Sequence, residues 1–140
     1  MLLRKTGLSR HDVIHASWKS KTHLPAHFLM RDVKRKTIVL CIRGTLSPKD
    51  VLTDLCCTAE DFSGEIGDND YFRRTKPQAR AHHGMLESAR GVAEITRKLI
   101  SSELASRPEY DLIIVGHSLG ECFYVVSIFN IYFALHSNGI

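Results

Sequence analysis

Two continuous apolar runs and one long helical stripe dominate the pattern of this 140-residue chain. Thr37 to Ile42 is a β-branched, continuous apolar run, the pattern of a strand buried on both faces of a mainly parallel sheet. Leu112 to Val115 is a second such run, and residues 111–115 are predicted to form a strand. Between them lies a helical pattern that starts at His83-Gly84. Met85, Leu86, Ala89, Val92, Ala93, Leu99, Ile100 and Leu104 recur mostly at three- and four-residue steps, which gives that helix one apolar face. Arg107-Pro108 ends it, because proline cannot continue the hydrogen-bond ladder.

The remaining segments read more weakly. Phe28-Leu29-Met30, followed by Arg31-Asp32, predicts a short strand, and the basic turn Val33 to Lys36 would join it to the first run as a hairpin. Ile14, Ala16 and Trp18 suggest a short helix or an arm packed on the domain. Ser47-Pro48-Lys49-Asp50 is a helix-start signal, with Ser as N-cap and Pro at the first helical position, and Val51, Leu52 and Leu55 follow at helical spacing. Residues 63–80 hold Gly64, Gly67, Asp68, Asn69, Asp70 and Pro77 and read as a long polar loop, with a strand near Tyr71-Phe72. The order strand, strand, helix, helix, strand, helix is that of an α/β layered fold.

Composition leaves this picture standing: 44% apolar and 24% charged residues are ordinary for one globular domain with a real core. Charge adds an asymmetry. Residues 1–43 carry a net +8 and residues 44–140 a net −4. The basic third suits either a solvated face or peripheral contact with an anionic membrane. Cys41, Cys56, Cys57 and Cys122 have neither disulfide-framework nor zinc spacing, which fits free thiols in a reducing compartment. Arg4-Lys5 follow Met1-Leu2-Leu3 without an apolar stretch, so no signal peptide is read. The apolar stretch from Cys122 to Leu135 is shorter than the ~20 residues a membrane helix needs. An intracellular location, cytoplasmic or peripheral to a membrane, is expected.

The chemistry sits after the second run, at Gly116-His117-Ser118-Leu119-Gly120. A G-x-S-x-G pentapeptide between a strand and a helix is the pattern of a nucleophile elbow, in which a sharp turn presents the Ser hydroxyl. Gly116 and Gly120 leave room for the reversal, Ser118 is the candidate nucleophile, and the Leu119 N–H would face the oxyanion. By chance such a pentapeptide arises in roughly one chain of this length in twenty, given a glycine frequency of ~7%. The strand before it lowers that several-fold. A second oxyanion donor is expected from the turn after the first run, at Arg43-Gly44-Thr45, where Thr45 offers both an N–H and a hydroxyl.

Arg43-Gly44-Thr45-Leu46-Ser47, with Asp50 to Leu55, closely resembles the oxyanion-turn region of the fungal-type (class 3) lipases, and most of all that of the sn-1-specific diacylglycerol lipases. His82-His83-Gly84-Met85 resembles the start of the next helix in that family, and residues 116–120 match its elbow. The resemblance implies a partial α/β-hydrolase fold, running through the nucleophile elbow, with a mainly parallel sheet flanked by helices. It implies Ser118 as nucleophile, Thr45 and Leu119 as the oxyanion hole, and acylglycerols or other lipid esters as substrates cleaved through an acyl-enzyme. On this reading residues 1–24 are an N-terminal arm, 25–120 the lipase-like core and 121–140 a divergent apolar tail. The tail departs from the family: Glu121-Cys122-Phe123-Tyr124 stand where small residues are usual. After Glu121 there is no carboxylate, and His136 is the one histidine. The triad acid and base are therefore expected to be missing from this chain. The alternative is an inert truncated form that binds lipid or a partner protein.

Other candidate chemistry is thin. His11/His15 and His23/His27 are each four apart, which on a helix would put two imidazoles on one face. No third ligand accompanies either pair and Pro25 interrupts the second, so solvated histidines, no metal and no cofactor are expected. His117 adjoins Ser118 in a tight turn and would point away from it. The basic residues lack interleaved aromatics, so no nucleic-acid partner is expected.

Overall fold

The computed structural model describes residues 9–21, 23–44, 59–61 and 80–116, and for residues 59 and 80–82 the backbone alone. A 3-10 turn at Arg10–Asp12 leads into β1 (Val13–Ser17), then β2 (His27–Asp32) and β3 (Thr37–Ile42). β4 (Ala59–Asp61) and β5 (Arg80–His82) form a separate antiparallel pair. The helix α1 (His83–Ser106) and strand β6 (Asp111–Gly116) follow. The helix expected after Ser47-Pro48, the loop expected over 63–80 up to residue 79, and the tail 121–140 lie outside the described residues, as do Cys56, Cys57 and Cys122.

The main sheet runs β1-β2-β3-β6. β1–β2 and β2–β3 are antiparallel and β3–β6 is parallel. The described sheet is thus mixed, where the apolar runs predicted a mainly parallel one. Chain length is the reason. A parallel neighbour needs a crossover of a dozen or more residues, and the turn between Asp32 and Thr37 is far too short for one. Asp32 closes that turn by accepting from the Arg35 backbone N–H at 3.1 Å and from its guanidinium at 2.8 Å. Those bonds hold the Asp32 carboxyl below its ordinary pKa. Lys36 completes the reversal with a left-handed backbone, φ 52°.

The first segment is a strand, not a short helix: Val13–Ser17 pairs with β2 at the sheet's edge, with an irregular register between Val13 and His15. Ile14, Ala16 and Trp18 are spaced by two, which is the strand period. Trp18, just beyond the strand, stacks on Phe28 with ring centroids 5.9 Å apart.

Register assigns the two faces. Leu29, Leu40 and Ile114 form one row across β2, β3 and β6, and Arg31, Ile38 and Leu112 form the next. α1 packs on this face through Val92, Ala93 and Ile100, making one core with Leu29, Ile38, Leu40, Ile42 and Ile114. The helix-facing positions of β3 are fully buried, while Val39 and Cys41 on its other face are half-buried. Burial without a charged partner pushes the Cys41 thiol upward, so it stays a neutral thiol at physiological pH.

Helical periodicity located α1 and Arg107-Pro108 its end, but two of its buried positions are polar. Ser88 and Thr96 are buried because each hydroxyl donates to the carbonyl four residues earlier, Gly84 and Val92, both at 2.8 Å. Gly91 lets the helix approach the preceding loop closely: a Cβ there would lie 3.3 Å from the His23 carbonyl oxygen.

Arg31 pins the sheet to the far end of α1. Its guanidinium donates to both carboxylate oxygens of Glu103, at 2.7–3.0 Å, and Arg107 donates to the same carboxylate at 2.8 Å. These side chains are only about a fifth to a third exposed. Glu103→Ala leaves two half-buried guanidiniums facing each other without their anion. It is expected to lower the unfolding free energy by about 1–3 kcal/mol, measured by urea denaturation.

Candidate active site

Parallel pairing of β3 with β6 brings their C-terminal ends to the same end of the sheet. Ile42 and Gly116, the last residues of the two strands, are register partners. This is the end at which α/β sheets carry their ligands and reacting groups. The chain leaves β3 through Arg43 and Gly44. The Arg43 N–H still donates to the Ala26 carbonyl at 2.9 Å, so the first residue of that turn is held by the segment leading into β2.

Of the residues expected to form the site, Gly116 is described, as the end of β6. Thr45, Ser118, Leu119 and Gly120 lie outside the described residues, together with His117 and His136. In the chain Thr45 directly follows Gly44, and Ser118 is two residues beyond Gly116. The two segments expected to supply nucleophile and oxyanion donors therefore depart from neighbouring strands at one end of the sheet.

His83 opens α1, and its Nδ1 is 2.8 Å from the Glu60 carboxylate of β4 at an exposed position. This pair ties the small antiparallel ribbon to the helix. For His82 the backbone position is described, in β5.

The pattern reads His11, His15, His23 and His27 as solvated, and the structure differs at His27, which is buried. His11 lies in the 3-10 turn and His15 in β1; His23 lies in a turn and His27 in β2. No one helix carries either pair. Instead His15 and His27 come together across the β1–β2 pair, their rings stacked with centroids 5.3 Å apart. The His27 Nδ1 is 2.8 Å from the Pro25 carbonyl, and since a carbonyl only accepts, Nδ1 carries the hydrogen. The Nε2 atoms of both rings are buried without a hydrogen-bond partner. The pair is not legible locally, because twelve residues separate its members and the pairing of β1 with β2 brings them together. The signal present was the period-two placement of His27, Leu29 and Arg31 on one face. His27 also shares a row with Ile42 and Gly116, so the pair lies at the same end of the sheet as the candidate site.

Among the described residues no group of three His, Cys, Asp or Glu is placed to hold a metal ion. Nor is any helix there long and apolar enough to cross a membrane.

Comparison with known proteins agrees with this architecture. The model of the class 3 lipase family matches residues 39–137, a span that enters in β3, passes through the elbow pentapeptide and runs beyond residue 120. Diacylglycerol lipase-beta of Mus musculus is 35% identical over 124 residues, which cover 85% of this chain and 17% of the relative. Diacylglycerol lipase-alpha of Homo sapiens is 32% identical over 116 residues, 78% of this chain and 10% of the relative. The chain thus spans less than a fifth of the length of these two relatives. Among solved structures, a lipase from Rhizopus microsporus var. chinensis superposes with a TM-score of 0.68 at 28% identity, over 86% of this chain and 38% of that one. The fold described is accordingly part of an α/β-hydrolase fold, with a mixed sheet and one long helix on one face. The chain belongs to the class 3 lipase family.

Proposed function

We propose that this chain carries the nucleophile half of a serine hydrolase that cleaves acylglycerol esters. Ser118 attacks the ester carbonyl, and the backbone N–H groups of Thr45 and Leu119 hold the oxyanion that develops. The observation that carries the reading is the parallel Ile42–Gly116 pairing. It sends the Arg43-Gly44-Thr45 segment and the Gly116 to Gly120 pentapeptide out of adjacent strands at one end of the sheet. An oxyanion hole needs such neighbours, because its donors must lie about 3 Å from an atom bonded to the nucleophile's target carbon. The relatives named diacylglycerol lipase, together with the family match, support an acylglycerol as substrate class.

A second reading is a non-catalytic module that binds lipid or a partner protein. Residues 122–140 hold no carboxylate and one histidine, His136, so no acid–base pair for Ser118 is read within this stretch. Residues 1–24 as an arm, 25–120 as the core and 121–140 as a tail remain the proposed division of the chain, and contact of the basic third with an anionic membrane belongs to the same proposal.

A fluorophosphonate probe with mass-spectrometric mapping separates the two. Covalent modification at Ser118, lost in Ser118→Ala, supports the hydrolase. A folded protein, verified by circular dichroism, that takes up no probe supports the inert module. Modification at a different serine would remove the basis for assigning Ser118.

A further inference from the structure

We propose that the stacked His15–His27 pair is a protonation-sensitive clasp, holding edge strand β1 on the sheet at neutral pH and releasing it in mildly acid solution.

The geometry makes the pair intolerant of added charge. His27 is 2% exposed, and its Nδ1–H already donates to the Pro25 carbonyl. A second proton must therefore go to Nε2, which is buried and has no acceptor. The Nε2 of His15 is likewise buried without a hydrogen-bond partner. Two imidazoliums stacked at 5.3 Å would also repel each other, and His15 does act on His27 in that sense. Desolvation is the larger cause, and it holds the His27 pKa below the ordinary histidine value.

The surroundings offer no compensating anion among the described residues. On the segments flanking β1 and β2, Arg10, His11, Lys19, Lys21, His23 and Arg43 are exposed and cationic or protonatable. Asp12 of the 3-10 turn accepts from the Ser9 N–H at 2.8 Å and from its hydroxyl at 2.9 Å. On α1, Glu87 is paired with Arg90 at 2.6 Å, and Glu94 is exposed. On β2, Asp32 is engaged by Arg35 at the far end of the strand, and Arg31 by Glu103. Ser17 and Ile42, the register partners of His27, bring no charge.

β1 is the element that yields. Among the described residues it pairs with β2 alone, and it has an irregular register and is only partly buried at every position. β3, by contrast, is paired on both sides and carries the core. Relief by detaching one edge strand disturbs far less buried surface than global unfolding would. The sign follows from linkage. A histidine with a depressed folded-state pKa gives no penalty above the unfolded value of about 6.5, and stability is lost as pH falls from there through the folded value.

The test is hydrogen exchange of the intact 140-residue protein at about pH 7.5 and about pH 5, corrected for intrinsic exchange rates, with mass-spectrometric readout. The expected result is that peptides over 13–17 lose protection at the lower pH while peptides over 37–42 keep theirs. Trp18, the single tryptophan, adjoins β1, and its fluorescence should change in step. His15→Phe and His27→Phe should each keep β1 protected at both pH values. Equal loss in β1 and β3, no loss in either, or an unchanged pH response in a folded Phe variant would overturn the proposal. If one variant fails to fold, the other decides.

Discussion

Where a triad base and acid activate Ser118, Ser118→Ala is expected to lower hydrolysis of a short-chain nitrophenyl ester by about 10⁴-fold or more while leaving the circular dichroism spectrum and melting temperature in place. The size follows from the proposed role. A nucleophile that forms the acyl-enzyme has no substitute, and what remains is the small acceleration from an oxyanion hole and binding. The assignment rests on where β6 ends. Gly116 is paired with Ile42, so the strands that precede the pentapeptide and the Arg43-Gly44 segment end side by side. Two serines of α1 are committed elsewhere: Ser88 donates to Gly84 and Ser106 to Ser102, each at 2.8 Å. Ser88→Ala is therefore the matched control. It removes a buried hydroxyl bonded within its own helix and should leave turnover per folded molecule unchanged. Full activity in Ser118→Ala would end the hydrolase assignment; loss in both variants would point to folding instead.

Leu40→Ala is expected to cost about 3–5 kcal/mol of unfolding free energy, read by urea denaturation with the slope checked for two-state behaviour. Leu40 is 0% exposed in the middle of β3, the strand that has neighbours on both sides. Its row partners Leu29 and Ile114 belong to the core on which Val92, Ala93 and Ile100 of α1 pack. Truncation there loses the transfer free energy of the removed carbons and leaves a cavity whose walls belong to two strands and a helix. Against a typical total of about 5–15 kcal/mol, that is a large share. Ile113→Ala is the informative comparison. Its side chain belongs to the adjoining strand but to the sheet's other face, and it is 41% exposed. Its expected cost is below about 1.5 kcal/mol. Similar losses at the two positions would mean that the second face is buried as deeply as the helix-covered one.

Much of the architecture could be read directly. Thr37 to Ile42 and Leu112 to Val115 announced strands because apolar residues at every position fit few other environments. The stripe from Met85 to Leu104 announced α1, and Arg107-Pro108 its end, because proline removes a donor that the ladder needs. The hairpin at Val33 to Lys36 followed from its length. The first strand was harder. Five residues holding a histidine and a serine give a weak periodic signal, and β1 exists because β2 offers it an edge. For the candidate site, the motif residues Gly116 and Ser118 and the turn residues Gly44 and Thr45 were legible as local patterns. That Ile42 and Gly116 are partners was not, since nothing local in either run specifies which strand lies beside it.

The sequence by itself determined the periodicities, the turn chemistry and the motif, and with them the family. These are short-range properties, set by φ/ψ preferences and by apolar spacing within a few residues. The tertiary structure alone decided three things: the order β1-β2-β3-β6, the burial of polar Ser88 and Thr96, and the meeting of His15 with His27. Each depends on groups far apart in the chain, or on a carbonyl that a hydroxyl reaches only once the helix has formed. Two histidines twelve residues apart read as solvated in a sequence. Strand pairing buries the Nε2 atoms of both, and desolvation holds the His27 pKa below the ordinary histidine value.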